Sequence, residues 1–216
     1  MEESDYDYDS YDENDDELME SVSEAIAKQV VQVFPPLDEL TLKWAPIQEI
    51  SDTQLNKFAK LVGNLDAFYR KYTGKKNWMS DKIIEMQEPG LVYIWYVNQA
   101  KEIMGFVSFK LCSCEGGSVL YLYEIHIDPK YQALKYGTRL IDSLQKFVVH
   151  LKADGSVKYF QGLKGVSLTV FPDNVRAFNW YKRLGYNFTE DSPRDKVLRT
   201  GKVVQPEFYL LTRFST

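Results

Sequence analysis

Apolar positions along the chain follow two rhythms, one at helical spacing and one in short continuous or alternating runs. Leu18, Val22, Ala25, Ile26, Val30 and Val33 recur at three- and four-residue intervals. They predict an amphipathic helix that stops before Pro35-Pro36, because a proline pair cannot continue a helix. Ser51 followed by Gln54 has the form of a capping box, and Leu55, Phe58, Ala59, Val62, Leu65 and Tyr69 continue at helical spacing. A third, short helix is predicted over 80–86. Runs at 91–97 and 103–111, separated by Asn98-Gln99-Ala100-Lys101-Glu102, read as a hairpin, and Glu115-Gly116-Gly117 turns the chain into a third strand over 120–127. A helix from 138 to 151, a strand over 166–171, a helix after Asn174 and a last strand over 207–213 complete an α/β domain with a mixed sheet.

Composition changes this picture mainly at the N-terminus. Residues 1–20 hold eleven Asp and Glu and no Lys or Arg, a composition that cannot collapse into a core, and they are read as a disordered acidic tail. Taking that −11 from the whole-chain −5 leaves about +6 for residues 21–216, a mildly basic body behind an acidic appendage. The domain reading is therefore a tail at 1–20, a helix and proline-containing connection at 21–50 packing on the main unit, and one main domain at 51–216. Cys112 and Cys114 form a lone C-x-C without a second pair or a suitably spaced histidine. They support neither a disulfide framework nor a metal site, and fit a reducing compartment, cytoplasm or nucleus. No apolar run has the length of a membrane span, and an acidic start is the opposite of a targeting peptide.

Candidate chemistry gathers around 120–151. Glu124 is the one carboxylate inside a strand otherwise suited to burial on both faces, so it is costly unless used or satisfied by hydrogen bonds. The following turn, Gln132-Ala133-Leu134-Lys135-Tyr136-Gly137, opens a helix whose free N–H groups and positive dipole end attract phosphate. The segment 171–186 supplies Pro172, Asp173 and Asn174 as helix-start residues, a face of Ala177, Phe178, Tyr181 and Leu184, and Gly185 at the helix end. The basic loop 192–205 either lies over the site or is solvated.

Two of these segments, in this order, resemble motifs of the GCN5-related N-acetyltransferases (GNAT). The turn resembles the Q/R-x-x-G-x-G/A pyrophosphate signature, with Lys135 in place of the first glycine. The later helix resembles N-x-x-A-x-x-x-Y-x-x-x-G-Y/F, matched by Asn174, Ala177, Tyr181, Gly185 and Tyr186. The resemblance implies a GNAT fold: a mixed central sheet whose parallel strands, 120–127 and 166–171, splay apart to admit acetyl-CoA, flanked by helices, plus the N-terminal helix. It places pantetheine against the backbone of Ile125, His126 and Ile127, and pyrophosphate at Gln132, Ala133, Leu134, Lys135, Tyr136, Gly137 and Thr138. Asn174 also contacts the cosubstrate, and Tyr181 donates a proton to the leaving thiolate. No metal is implied.

Across about 55–213, the tracts LYLYEIHI, SLTVFPDN, NLDAFYRKY and EPGLVYIW narrow the resemblance to the NatD-type N-alpha-acetyltransferases, which act on core histone tails beginning Ser-Gly-Arg-Gly. That resemblance implies Tyr93, Tyr123 and Thr169 as substrate contacts; Tyr121 either closes the same pocket or belongs to the core, the C-terminal strand offers Tyr209 or Phe208 as a further contact, and a monomer with no direct role for nucleic acid or membrane is expected. An α-ammonium must lose a proton before it can attack a thioester. Glu124 is the expected base, acting through a water, with its pKa raised by burial toward the working range. His126 is expected to serve through its backbone, with catalysis by its ring as the alternative. Enzymes acting on lysines or small amines share the cosubstrate motifs and remain the alternative.

Overall fold

The computed structural model describes residues 13–155 and 157–215. Helix α1 (Glu13–Val33) is followed by β1 (Thr41–Pro46), α2 (Asp52–Val62), α3 (Asp66–Thr73) and α4 (Trp78–Glu85). Three antiparallel strands come next, β2 (Val92–Val97), β3 (Ile103–Cys114) and β4 (Gly117–Ile127). Then come α5 (Tyr136–Ala153), β5 (Leu163–Val170), α6 (Val175–Arg183) and β6 (Asn187–Phe188). A two-strand hairpin, β7 (Lys196–Val197) and β8 (Val203–Val204), precedes β9 (Tyr209–Phe214). The main sheet runs β1-β2-β3-β4-β5-β9-β6, and β4 and β5 are its parallel pair. No helix among the described residues is long and apolar enough to cross a membrane.

Both faces of the sheet are covered, which is why β2 and β3 read as nearly continuous apolar runs. Val92, Ile94 and Tyr96 join a core shared with α1 and α5, whereas the alternating Tyr93 and Trp95 join a second core under α2 and α4. The two cores follow from the period-2 alternation of strand side chains.

Several expectations are revised. The acidic stretch read as disordered over 1–20 enters α1 at Glu13; residues 1–12 lie outside the described residues. The 21–50 connection contains an edge strand, β1, ending at Pro46, where a missing N–H is tolerated. The stripe predicted from 55 to 69 is two helices, because Gly63-Asn64 leads into a 3-10 turn between them. The loop 192–205 folds locally as the exposed β7–β8 hairpin.

The feature that shapes the site is a β-bulge. Ser108 pairs with Glu124 and Phe109 with Leu122, so Tyr123 is an extra residue on β4. Before the bulge, Leu120 and Leu122 face the α1–α5 core; after it, Ile125 and Ile127 take that face. Glu124 and His126 are thereby turned to the α2–α4 side, where Tyr123 also packs.

Candidate active site

Pairing between β4 and β5 runs only from Ser118↔Leu163 to Leu122↔Leu168, although β4 continues to Ile127 and β5 to Val170. Beyond Leu122 the strands part. The edge of Ile125, His126 and Ile127 that faces away from β3 borders two adjoining clefts of about 570 and 420 Å³. These share Ile125, Ile127, Gln132, Asn174, Ala177 and Trp180 as wall. An arm can therefore lie along β4 as a further strand would, with one end in each cleft.

The smaller cleft is closed by the turn before α5. Ala133 (φ 62°) and Lys135 (φ 64°) both adopt the left-handed conformation, and Lys135 is the N-cap of α5. The lysine that stands where the motif has glycine thus takes the backbone shape a glycine would favour, and it leaves the cradle open. Gln132 Nε2 donates to the Ile127 carbonyl at 3.0 Å, tying the turn to the strand. Gly137 is needed for space: a Cβ there would stand 3.3 Å from Trp180 Cζ2. The Trp180 Nε1 in turn donates to Thr138 Oγ1 at 3.3 Å. Lys135, Arg176 and Arg183 line this cleft, a cationic set that fits a pyrophosphate. Ala133, Tyr136 and Thr138 also line it. Leu134 is exposed and off its wall, and the Tyr136 hydroxyl donates to Asp38 at 2.8 Å. Asn174 caps α6 by accepting from the Ala177 N–H at 3.2 Å and borders both clefts.

The larger cleft holds the titratable groups. Glu124 is 5% exposed, with Oε1 at 2.5 Å from Lys82 Nζ and Oε2 at 2.5 Å from His126 Nε2. The Tyr69 hydroxyl donates to Oε1 at 3.5 Å, and Lys82 also reaches Glu85 Oε1 at 2.6 Å. Burial alone pushes the Glu124 carboxyl up, but the Lys82 charge and the His126 hydrogen bond outweigh it and hold it below the ordinary glutamate value. The expectation of a raised pKa is thus corrected, because an ion-pair partner lies on α4. Burial pulls Lys82 down, but the opposite charge of Glu124 prevails and raises it, so both remain ionised. Burial also raises Glu85.

Tyr181 lines the cleft, and burial raises its phenol far enough that it keeps its proton. Tyr121 and Thr169 also line the cleft and hydrogen-bond to each other across β4 and β5 close to where the strands part. Tyr123 donates to Glu88 Oε2 at 2.9 Å, and Lys110 reaches the same oxygen at 3.3 Å. Two expected substrate contacts lie elsewhere. Tyr93 is fully buried in the second core, stacked on Phe58 with its hydroxyl donating to the Met86 carbonyl at 2.6 Å. Tyr209 is buried against Phe178 and Phe188, its hydroxyl donating to Asp195 at 2.5 Å, and its neighbour Phe208 lines the cleft instead.

Lys82, Tyr69, Glu85, Glu88 and Trp180 were not singled out from sequence. Only Lys82 carries a local signal: Trp78, Lys82 and Met86 recur every four residues, which puts a lysine inside the buried stripe of α4.

The acetyltransferase (GNAT) family profile matches residues 58–186. N-alpha-acetyltransferase 40 of Saccharomyces cerevisiae is 32% identical over 164 residues, covering 66% of this chain. The match spans about half of that relative, 54% of its length. A GNAT-family acetyltransferase from Staphylococcus aureus superposes with a TM-score of 0.52 at 13% identity, over 82% of this chain and 100% of that one. A protein from Pyrococcus horikoshii gives 0.52 at 14% identity, over 82% and 99%. These two likenesses establish the fold.

Proposed function

Because the chain belongs to the GNAT acetyltransferase family, we propose that it transfers acetyl from acetyl-CoA to the N-terminal α-amine of a protein, with core histone tails beginning Ser-Gly-Arg-Gly as substrate. The observation that carries the reading is the larger cleft. A buried, charge-compensated glutamate stands at its floor, and tyrosines and acidic residues line its walls. Its wall carries Glu85, Glu88 and Glu124 against Lys82, three carboxylates to one ammonium, a net −2 that suits an α-ammonium followed by basic residues. The similarity to an N-alpha-acetyltransferase supports the α-amine in particular.

The chain's own residues divide the work. The free edge of Ile125–Ile127 holds the pantetheine arm, while the turn from Gln132 to Thr138 with Arg176 and Arg183 holds the phosphates. The bound cosubstrate supplies an activated thioester. Tyr121 and Thr169 hold the peptide start, and Tyr123 sets Glu88 toward its basic side chains. The Glu124 cluster supplies the negative charge toward which the ammonium gives up its proton, and Tyr181, kept as a phenol, donates a hydrogen bond to the departing sulfur.

The test is acetyl transfer to a Ser-Gly-Arg-Gly peptide, compared with the same peptide bearing a blocked α-amine and free lysines. Transfer to the first alone is expected. Transfer to the second would replace this reading with a lysine acetyltransferase.

A further inference from the structure

We propose that His126 is a further catalytic residue: its imidazole accepts the proton lost by the substrate α-ammonium, while Glu124 and Lys82 act as positioning residues behind it. The inference rests on the α-amine reading above and deepens it by assigning the accepting atom.

Both oxygens of Glu124 are already engaged, Oε1 by Lys82 and Tyr69 and Oε2 by His126. An amine approaching this carboxylate directly must displace one of them. The carboxylate is also badly matched as an acceptor. An α-ammonium has a pKa of about 8, and a carboxylate that Lys82 and His126 hold below its ordinary range is a poor match for its proton. Imidazole is the side-chain type suited to accepting a proton near neutrality.

Geometry places such a ring at the right spot. The bulge at Tyr123 turns His126 onto the cleft side, where it lines the wall with Tyr181. The ring packs on Phe106 with centroids 5.5 Å apart, and Nε2 is fixed on Glu124 at 2.5 Å. Nδ1 has no protein partner among the described residues and is not one of the buried polar atoms shut away without one. A donor Nε2–H toward the carboxylate leaves Nδ1 as the basic nitrogen, an arrangement in which a carboxylate orients the ring and stabilises the imidazolium. The charged and titratable groups around the ring are Glu124 on its own strand, Lys82 and Glu85 from α4, Tyr69 from α3 and Tyr181 from α6.

The step balances without a further reactant. Nδ1 takes the ammonium proton, the freed nitrogen pair forms the C–N bond, and the C–S bond breaks with its electrons on sulfur. The imidazolium returns its proton to that thiolate; of the two protons left on nitrogen, one leaves to water and one stays as the amide N–H. The ring ends neutral.

The experiment compares wild type with His126→Gln, which keeps a donor for Glu124, and His126→Ala, using the Ser-Gly-Arg-Gly peptide. For His126→Gln, kcat should fall by roughly 10² and the acidic limb of the kcat/KM profile should disappear. Calorimetric acetyl-CoA affinity should stay within about threefold, and added imidazole should partly restore His126→Ala. A kcat within about threefold of wild type with the same acidic limb would overturn the proposal and return proton acceptance to Glu124. So would a loss of acetyl-CoA affinity of about tenfold in both variants, which would make His126 a docking residue. Wild type that transfers only to lysines would instead sink the α-amine reading, and that result is read before any variant is made.

Discussion

At the residue scale the molecule turns on one buried ion pair. Lys82 and Glu124 are both nearly out of water and 2.5 Å apart, so each makes the other's charge tolerable. Removing one partner leaves an uncompensated buried charge, whose penalty is typically about 3–5 kcal/mol. Lys82→Met should lower the unfolding free energy by about that much at pH 7, measured in urea. The pH dependence gives the mechanism away. In the native protein the folded pKa of Glu124 lies below its unfolded value, so the group's stabilisation is present above the unfolded value and is lost as pH falls through the depressed one. In the variant burial dominates and the folded pKa rises above the unfolded one. The carboxylate is then unfavourable at high pH, and its penalty fades as pH falls through the raised value. The stability deficit should therefore be larger at pH 8 than at pH 5; a deficit that does not change with pH would mean that lost packing of the lysine stem was responsible.

At the scale of elements, the turn into α5 is a backbone device that two substitutions can separate. Gly137→Val forces branched carbons toward Trp180, where even a single added Cβ would stand at 3.3 Å. Overpacking of this kind amounts to about 1–3 kcal/mol, so acetyl-CoA affinity should weaken by roughly 5- to 150-fold by calorimetry. Lys135→Gly acts the other way on the fold. A non-glycine residue in the left-handed region is strained by about 1 kcal/mol, and replacing it should raise the melting temperature. A lower melting temperature would show that the lysine side chain holds the turn.

The elements also show what local patterning conveys. The stripes that predict α1 and α5, the runs that become β2 to β5, the turn before α5 and the capped α6 were all legible, because each is a repeat within one segment. Strand β1 was not: Thr41-Leu42-Lys43-Trp44-Ala45-Pro46 is short, weakly alternating and ends in proline, as an edge strand can. Tyr93 lies in the second core and not on the cleft wall, because a tyrosine in a strand shows its chemistry but not its face. Lys82 went unseen because its role depends on a residue 42 positions away, and the phase change that brings Glu124 to it depends on one extra residue in a pairing register.

At the scale of the whole molecule, charge is distributed unevenly enough to affect encounter with a substrate. Residues 1–12 carry six acidic side chains ahead of the mildly basic body, and Asp16, Glu17 and Glu20 continue the negative charge along α1. The seventh residue of α1 meets the turn before β2. Met19 packs against Gly90, beside the Lys110 that reaches Glu88, and Glu88 lines the larger cleft and receives the Tyr123 hydroxyl. Acidic charge therefore enters the fold close to the cleft proposed to admit a basic peptide. If it gathers substrate, deleting residues 1–12, which spares the packed part of α1, should raise KM for a basic histone-tail peptide at low salt and leave kcat unchanged. Attraction of this kind is screened over about 10 Å at 0.1 M salt, so the two KM curves should converge as ionic strength rises. A segment that instead competes with the peptide for the body's basic surface would give the opposite sign, with KM falling on deletion. Superimposable curves at every salt concentration would refute any role for this charge in substrate capture.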